Sequence, residues 1–321
     1  MAVSSLVEIW KCYGPVDGVK SSLLACRYYF QKHVLRRKYL SRRINDYRMN
    51  LDLRDPGISK TLAIVGKREL EHRIILEAEL RPGMTVWDLG ANIGYYALME
   101  AAIVGPSGKV YAVEPLPANC QLLRSNIELN HCGEVIELLE MAISNRNGEA
   151  DFHVSDMSNT STFHPTSYRS GETLKHLSGR TIPVRTLDVP TFLKNKRPVD
   201  LVRMDIEGHE VEVFQSIRTA IDSMDFSASI LFETHFPRYD DAQHNMREQL
   251  QGLFNAGYYP KWMASHDERK SKLRAKGYSS VRLIHTDGVL RGLYEDVREP
   301  DALELICDLG GVRTVLLKRR T

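Results

Sequence analysis

The strongest constraint on this chain is an apolar run ending in an acid, then a glycine-bearing turn, then a second apolar run ending in an acid. The residues are Val86-Trp87-Asp88-Leu89-Gly90-Ala91-Asn92-Ile93-Gly94-Tyr95-Tyr96, followed by Val110-Tyr111-Ala112-Val113-Glu114-Pro115. In a strand–helix–strand unit this order places the turn and Glu114 on neighbouring strand ends. Open α/β sheets bind nucleoside-containing ligands there.

The fine spacing selects among such ligands. A dinucleotide fingerprint needs G-x-G-x-x-G, with the second glycine letting the backbone approach a pyrophosphate. Here Asn92 stands at the middle position and Asp88 precedes Gly90 by two residues. An acid at Asp88 repels a pyrophosphate but suits a cofactor carrying an ammonium group. Glu114 offers two oxygens that can accept both hydroxyls of a ribose. Acid, turn and acid together favour S-adenosylmethionine over NAD.

Strands are expected at 84–88, 109–113, 136–142, 199–204 and 228–234, alternating with helices at 93–103, 116–129, 210–221 and 240–256. That alternation predicts a doubly wound, mostly parallel α/β sheet. A strand pair at 149–154 and 181–187 interrupts it and flanks a polar loop, 155–180, long enough to suggest a binding lid. A helix over 69–80 precedes the first strand, and a helix (301–308) and strand (312–318) close the chain. Tyr47 to Leu53 and Thr61 to Val65, separated by Pro56-Gly57, read as a hairpin. Residues 1–48 form a separate extension, with 49–321 the main domain and its C-terminal part beginning at 241. Basic residues from Arg27 to Arg48 interleave with apolar ones at helical spacing, which predicts a packed helix with a basic face. That face is a candidate for peripheral contact with an anionic membrane.

Bulk properties exclude several classes. The 321 residues carry a formal net charge of +2, so no global charge argues for nucleic acid. Five scattered cysteines form no C-x-x-C pair, which argues against a disulfide framework and a zinc site. No apolar run approaches the roughly 18 residues of a spanning helix, and no secretory leader is visible. A cytoplasmic protein is expected.

Asp88 to Tyr96, with its DxGANxGYY form, resembles the first motif of class I S-adenosylmethionine-dependent methyltransferases, and of the FkbM family in particular. Val199 to Glu210 is similar to that family's K-x-D-x-E-G-x-E signature, with Arg203 in place of the usual lysine. Ile230 to His235 resembles the acid-bearing strand that follows. Gly66 to Glu69 and Thr181 to Asp188 also look familial. The resemblance spans about 60–240 and implies a Rossmann-like, seven-stranded methyltransferase fold. It implies that Asp88, Gly90, Asn92 and Gly94 hold the methionine end of the cofactor, Glu114 and Pro115 the ribose, and Ala142 the adenine. Glu69 would close over the cofactor from the preceding helix.

Methyl transfer to a hydroxyl also needs a proton acceptor. Asp205, Glu207, His209, Glu233 and His235 form the densest carboxylate–imidazole group in the sequence. Asp205, His209 and His235 are candidate bases, and Glu233 stands with them. Asp205 and Glu233 could alternatively hold Mg²⁺, although none is expected. The family implies an O-methyltransferase acting on a sugar, glycan or natural product. A nucleic-acid methyltransferase using the basic arm is the alternative, but the expected Asn-Pro-Pro-Tyr type of motif is replaced by His235-Phe236-Pro237-Arg238-Tyr239. A non-catalytic module conflicts with intact Asp88, Glu114 and Asp205. Oligomeric state is not encoded in any of these features.

Overall fold

The computed structural model describes residue 19 and residues 21–194, 196–224 and 226–320. Fourteen strands are named in chain order. They are β1 (Tyr39–Ile44), β2 (Tyr47–Asp52), β3 (Thr85–Leu89), β4 (Lys109–Val113), β5 (Ile136–Leu139), β6 (Ala142–Ser144) and β7 (Gly148–Ser155). Then follow β8 (Leu177–Asp188), β9 (Leu201–Met204), β10 (Ser229–Glu233), β11 (Tyr258–Ser265), β12 (Arg282–Thr286), β13 (Val289–Glu295) and β14 (Val312–Arg319). The main sheet has nine strands in the order β12-β13-β11-β14-β10-β9-β3-β4-β5. Strands β5, β4, β3, β9 and β10 are parallel, and β14 enters antiparallel beside β10. The seven-stranded sheet expected from the sequence is therefore present, widened at one edge by β13 and β12.

Both faces of the sheet are covered, so its central strands are continuously buried. Alternate residues feed two cores: Val86, Val110 and Leu201 on one side, Trp87, Tyr111 and Val202 on the other. Two charged residues break this apolar rule. Asp88 of β3 lies opposite Arg203 of β9 in the strand register, and each neutralises the other.

The third expected strand divides. Ile136–Leu139 stays in the main sheet, while Ala142–Ser144 joins β8 and β7 in a separate three-stranded sheet. Between them Met141 N–H turns back onto the Leu139 carbonyl (3.0 Å), which leaves Met141 and Ala142 at the rim of the sheet. The expected inserted pair is β7 and β8. The segment between them is tied across the molecule: Asp55 accepts from the Ser158 N–H and hydroxyl, and the Thr162 hydroxyl donates to the Glu207 carbonyl.

Several boundaries differ from expectation. The hairpin pairs Tyr47–Asp52 with Tyr39–Ile44, and Ile58–Ile64 is a helix. Asp55 explains this: its carboxylate accepts from Gly57 and Ser59 N–H, so Pro56-Gly57 opens a helix instead of turning a hairpin. A division after residue 48 would fall inside β2. The basic stretch 27–48 is consequently no single helix, and Arg42 is spent on the Leu62 and Ala63 carbonyls. The first 18 residues of the expected extension, and residue 20, lie outside the described residues. The helix expected at 240–256 begins at Met246, capped by Asn245. Strand β11 escapes the sequence pattern because Pro260 sits within it; a register shift between Pro260 and Trp262 accommodates the missing donor.

Asn126 fixes the N-terminal hairpin to this core. Fully buried in the helix Pro117–Leu129, it accepts from Asn50 N–H of β2 (2.7 Å) and donates to the Ile93 carbonyl (2.8 Å). Asn126→Ala orphans both partners and is expected to cost about 2–4 kcal/mol by urea denaturation. A loss below about 0.5 kcal/mol would show that the hairpin is not anchored there.

Candidate active site

A cleft opens at the carboxyl ends of β3, β4 and β9. Its wall is the turn after β3. Gly90 adopts φ +81°, and a Cβ there would stand 2.2 Å from the Asp205 carbonyl oxygen, so only glycine lets the turn cross the end of β9. Gly94, at φ +92°, is kept bare by Leu123, whose Cδ1 would stand 2.4 Å from an added Cβ. Asn92 is also left-handed (φ 52°), a conformation asparagine tolerates. Its backbone N–H donates to Glu114 Oε2 (2.9 Å) and its side-chain amide to the Ser158 carbonyl (2.9 Å). A glycine could adopt the same backbone but could not clamp the 155–180 segment.

Glu114, directly after β4, also accepts from Leu116 N–H and the Asn119 amide. All three partners are donors, so the site is built for a carboxylate. Burial nevertheless lifts its pKa to about 7. Pro115, Met141, Ala142, Phe152 and Phe163 complete the apolar part of the cleft.

Asp88 does not reach the cleft. It is fully buried, and its Oδ1 accepts from Arg203 Nη1 at 2.9 Å. The same guanidinium donates to Asp205 Oδ2 at 3.0 Å and lies 4.0 Å over the Tyr96 ring. Burial raises the Asp88 pKa against the opposing pull of Arg203. Asp205 is the carboxylate presented to the cleft.

Glu69 is not a solvated first-turn residue. It precedes the helix Leu70–Glu79 in a left-handed conformation and is buried. Arg68 and Arg313 donate to its carboxylate, as does Tyr96 OH (3.0 Å). These cations hold its pKa well down although burial opposes them. Arg313 also pairs with Glu233, whose pKa burial pushes well up. Glu69, Asp205 and Glu233 come close enough to share a cation, and the guanidinium groups of Arg313 and Arg203 already serve them. Arg68, Glu69, Asn159 and Asp205 line a small polar recess that continues past Gly90 and Asn92.

The expected imidazole–carboxylate group separates into two. His235 Nδ1 meets Glu210 Oε1 at 3.0 Å, and its Nε2 lies 3.6 Å from both Glu207 and Glu233 and 3.9 Å from Asp205. Burial alone would lower its pKa, but these acids raise it to about 10. His235 therefore holds a proton at neutral pH. His209 also lines the cleft, but its ring nitrogens face Ser144 and His164, and burial lowers its pKa to about 4.

Glu207, a member of the expected carboxylate–imidazole group, stands outside the helix that follows it. The helix starts only at Glu210; Glu207 is left-handed (φ 53°) and lines the cleft, with burial raising its pKa to about 7. The following Gly208 was the available signal, since a glycine marks an irregular turn there. Arg68 had only its place in the Gly66 to Glu69 block as a signal, and Arg313 had none.

The chain matches the methyltransferase FkbM domain over residues 88–280. It belongs to the FkbM methyltransferase family. It is 31% identical to hexuronic acid methyltransferase AglP of Haloferax volcanii over 163 residues, covering 51% of this chain and 60% of that protein. It is 26% identical to 2-O-methyltransferase NoeI of Sinorhizobium fredii over 181 residues, covering 52% and 72%. The chain thus spans less than two thirds of the first of these relatives. Among solved structures, M. jannaschii TYW2 in complex with AdoMet aligns with 88% of this chain and 87% of its own, at 13% identity and a TM-score of 0.41.

In this FkbM protein, Arg313 is the cation that lets Glu69 and Glu233 be buried together. Arg313→Met is expected to destabilise the fold by about 3 kcal/mol near neutral pH, the cost of uncompensated buried charge. The two carboxyls would then titrate upward, so the deficit shrinks as pH falls and they take up protons. Urea denaturation near pH 5 and pH 8 tests this; an equal deficit at both would exclude the charge explanation.

Proposed function

We propose that this protein transfers a methyl group from S-adenosylmethionine to a hydroxyl of a sugar or glycan. The observation that carries this reading is Glu114, an acceptor-only carboxylate facing a mixed cleft at the strand ends of an FkbM chain. The residues present fit the cofactor. Glu114 would take the ribose hydroxyls, and Met141, Ala142 and Phe152 the adenine. The polar recess of Arg68, Asn92, Asn159 and Asp205 would take the amino-acid end. Asp88 would act through Arg203, by setting the position of Asp205. When bound, the cofactor supplies an electrophilic methyl on a sulfonium centre.

The chain's own contribution is alignment and proton removal. Glu207, with a pKa of about 7, is matched to take the acceptor's hydroxyl proton near neutrality. His235, already protonated, keeps a positive charge beside Glu207 and Asp205 and so is not the base. His209 is neutral but committed to Ser144 and His164. The named activities of the relatives support the reading: hexuronic acid methyltransferase AglP points to a sugar, and 2-O-methyltransferase NoeI to oxygen as the methylated atom.

Two measurements test the reading. Glu114 must shed its proton to accept two further donors, so cofactor affinity is expected to rise about tenfold between pH 6 and pH 8, with proton release below about pH 7. Calorimetry in buffers of different ionisation enthalpy reads this, and Glu114→Gln should flatten the profile; no binding by the native protein would sink the assignment. Glu207→Gln is expected to lower kcat by about 10²–10⁴-fold with cofactor affinity retained. Methylation of hexuronic-acid glycans, followed by mass spectrometry, reports it. An unchanged kcat would remove Glu207 as the base.

A further inference from the structure

Beyond the cleft, on the side of His209 away from the acid cluster, a second group of donors converges. His164 comes from the segment between β7 and β8. His209 and Glu212 come from the start of the helix Glu210–Ser223, three positions apart and so on one face. His164 Nε2 lies 3.1 Å from His209 Nδ1 and 3.5 Å from Glu212 Oε2, and His209 Nδ1 lies 3.3 Å from the same oxygen. Ligands held about 2.0–2.1 Å from a tetrahedral zinc stand roughly 3.3–3.4 Å from one another, so these three atoms outline one face of such a tetrahedron.

Each donor is also oriented from behind. His164 Nδ1 is 3.1 Å from Tyr168 OH, and His209 Nε2 is 3.0 Å from Ser144 Oγ. His244 Nε2 holds the Glu212 carboxylate, 3.2 Å from Oε1 and 3.1 Å from Oε2, and its Nδ1 faces the Arg238 carbonyl at 2.7 Å. Outer partners of this kind set the tautomer of metal-binding imidazoles. When both outward nitrogens donate, two lone pairs and a carboxylate oxygen face one another, an arrangement that a cation between them resolves. The open side looks into a solvent-filled cleft lined by Asn145, Glu149, Asp151 and the three donors.

We propose that His164, His209 and Glu212 bind one zinc ion, with water in the fourth position. Two imidazoles and a carboxylate form a donor set zinc accepts, whereas Mg²⁺ and Ca²⁺ prefer oxygen alone. The ion would join the segment between β7 and β8 to the helix that ends the FkbM signature. It would also fix Phe163, which lines the cofactor cleft and lies 4.5 Å, ring to ring, from His209.

The test needs neither cofactor nor methyl acceptor. Chelator-stripped full-length protein is titrated with Zn²⁺ against a chromophoric chelator, and with Co²⁺ as a spectroscopic probe. About one equivalent of Zn²⁺ is expected, with the intense visible bands of four-coordinate Co²⁺. His164→Ala and Glu212→Gln should each weaken binding by more than about 100-fold, the upper end of what losing an outer partner costs. His285→Ala, on the exposed surface of β12, should bind like the native chain. Zinc should raise the melting temperature of the native chain and of H285A but not of the site variants, which checks in the same experiment that those variants fold. Substoichiometric zinc in the native chain, or equal affinity in a folded His164→Ala or Glu212→Gln protein, would overturn the proposal.

Discussion

The bridge from Asp88 through Arg203 to Asp205 is the constraint on which the site depends. Two charged residues in the middle of a sheet buried on both faces are tolerated only as partners. Their register, Asp88 opposite Arg203, therefore fixes how β3 and β9 are aligned. A one-residue slip would separate the charges and turn the slipped strand's side chains to the wrong face. The same guanidinium reaches past the strand end to Asp205, so the register that buries the pair also sets the carboxylate at the floor of the cleft. From there Tyr96 and Glu69 carry the network to Arg313 and Glu233. Six acids (Glu69, Asp88, Asp205, Glu207, Glu210, Glu233) meet four cations (Arg68, Arg203, Arg313, His235). Burial pushes Glu207 and Glu233 upward, which lessens the negative charge that the four cations must balance.

Backbone strain is concentrated around the same point. Asn92, Glu207 and Glu69 are all left-handed, at roughly 1 kcal/mol or more each for a non-glycine residue. Each is held by a specific bond: Asn92 N–H to Glu114, the Glu207 carbonyl by Thr162, and Glu69 N–H to Asp287 (2.9 Å). The last contact comes from the turn between β12 and β13, the two strands that widen the sheet. That edge hairpin thus reaches back to support the entry to the site, although no residue of it lines the cleft.

Much of this was legible because local chemistry and position coincided. The acid-ended apolar runs of β3, β4, β9 and β10 each place an acid at or just beyond a strand end, and the glycine turn lies where the spacing requires. Asp88 stands out in the sequence as a cofactor ligand, but the sequence cannot show that Arg203 stands opposite it and holds its carboxylate away from the cleft. Arg313 lies far down the chain and reaches Glu69 only through the antiparallel entry of β14, a non-local pairing with no local pattern. The hairpin was misplaced for a similar reason: whether Pro56-Gly57 turns a strand or starts a helix depends on the Asp55 side chain. Strand β11 was hidden by Pro260, since a proline argues against an interior strand unless a bulge absorbs it.

The two histidines show how far environment outruns composition. His209 and His235 both sit close to the N-terminus of the helix Glu210–Ser223, and both are almost wholly buried. Burial alone makes an imidazole neutral, and His209, where two further imidazoles oppose the pull of Glu212 and Glu210, stays so. His235 is surrounded by Glu207, Glu210 and Glu233, and their field overcomes the same burial. A group that reads as one catalytic cluster in sequence is therefore two chemically opposite sites on either side of the cleft. One holds positive charge next to the acids that would meet an acceptor hydroxyl. The other turns two imidazole nitrogens and a carboxylate oxygen toward one another within 3.5 Å, as the ligands of one cation would stand.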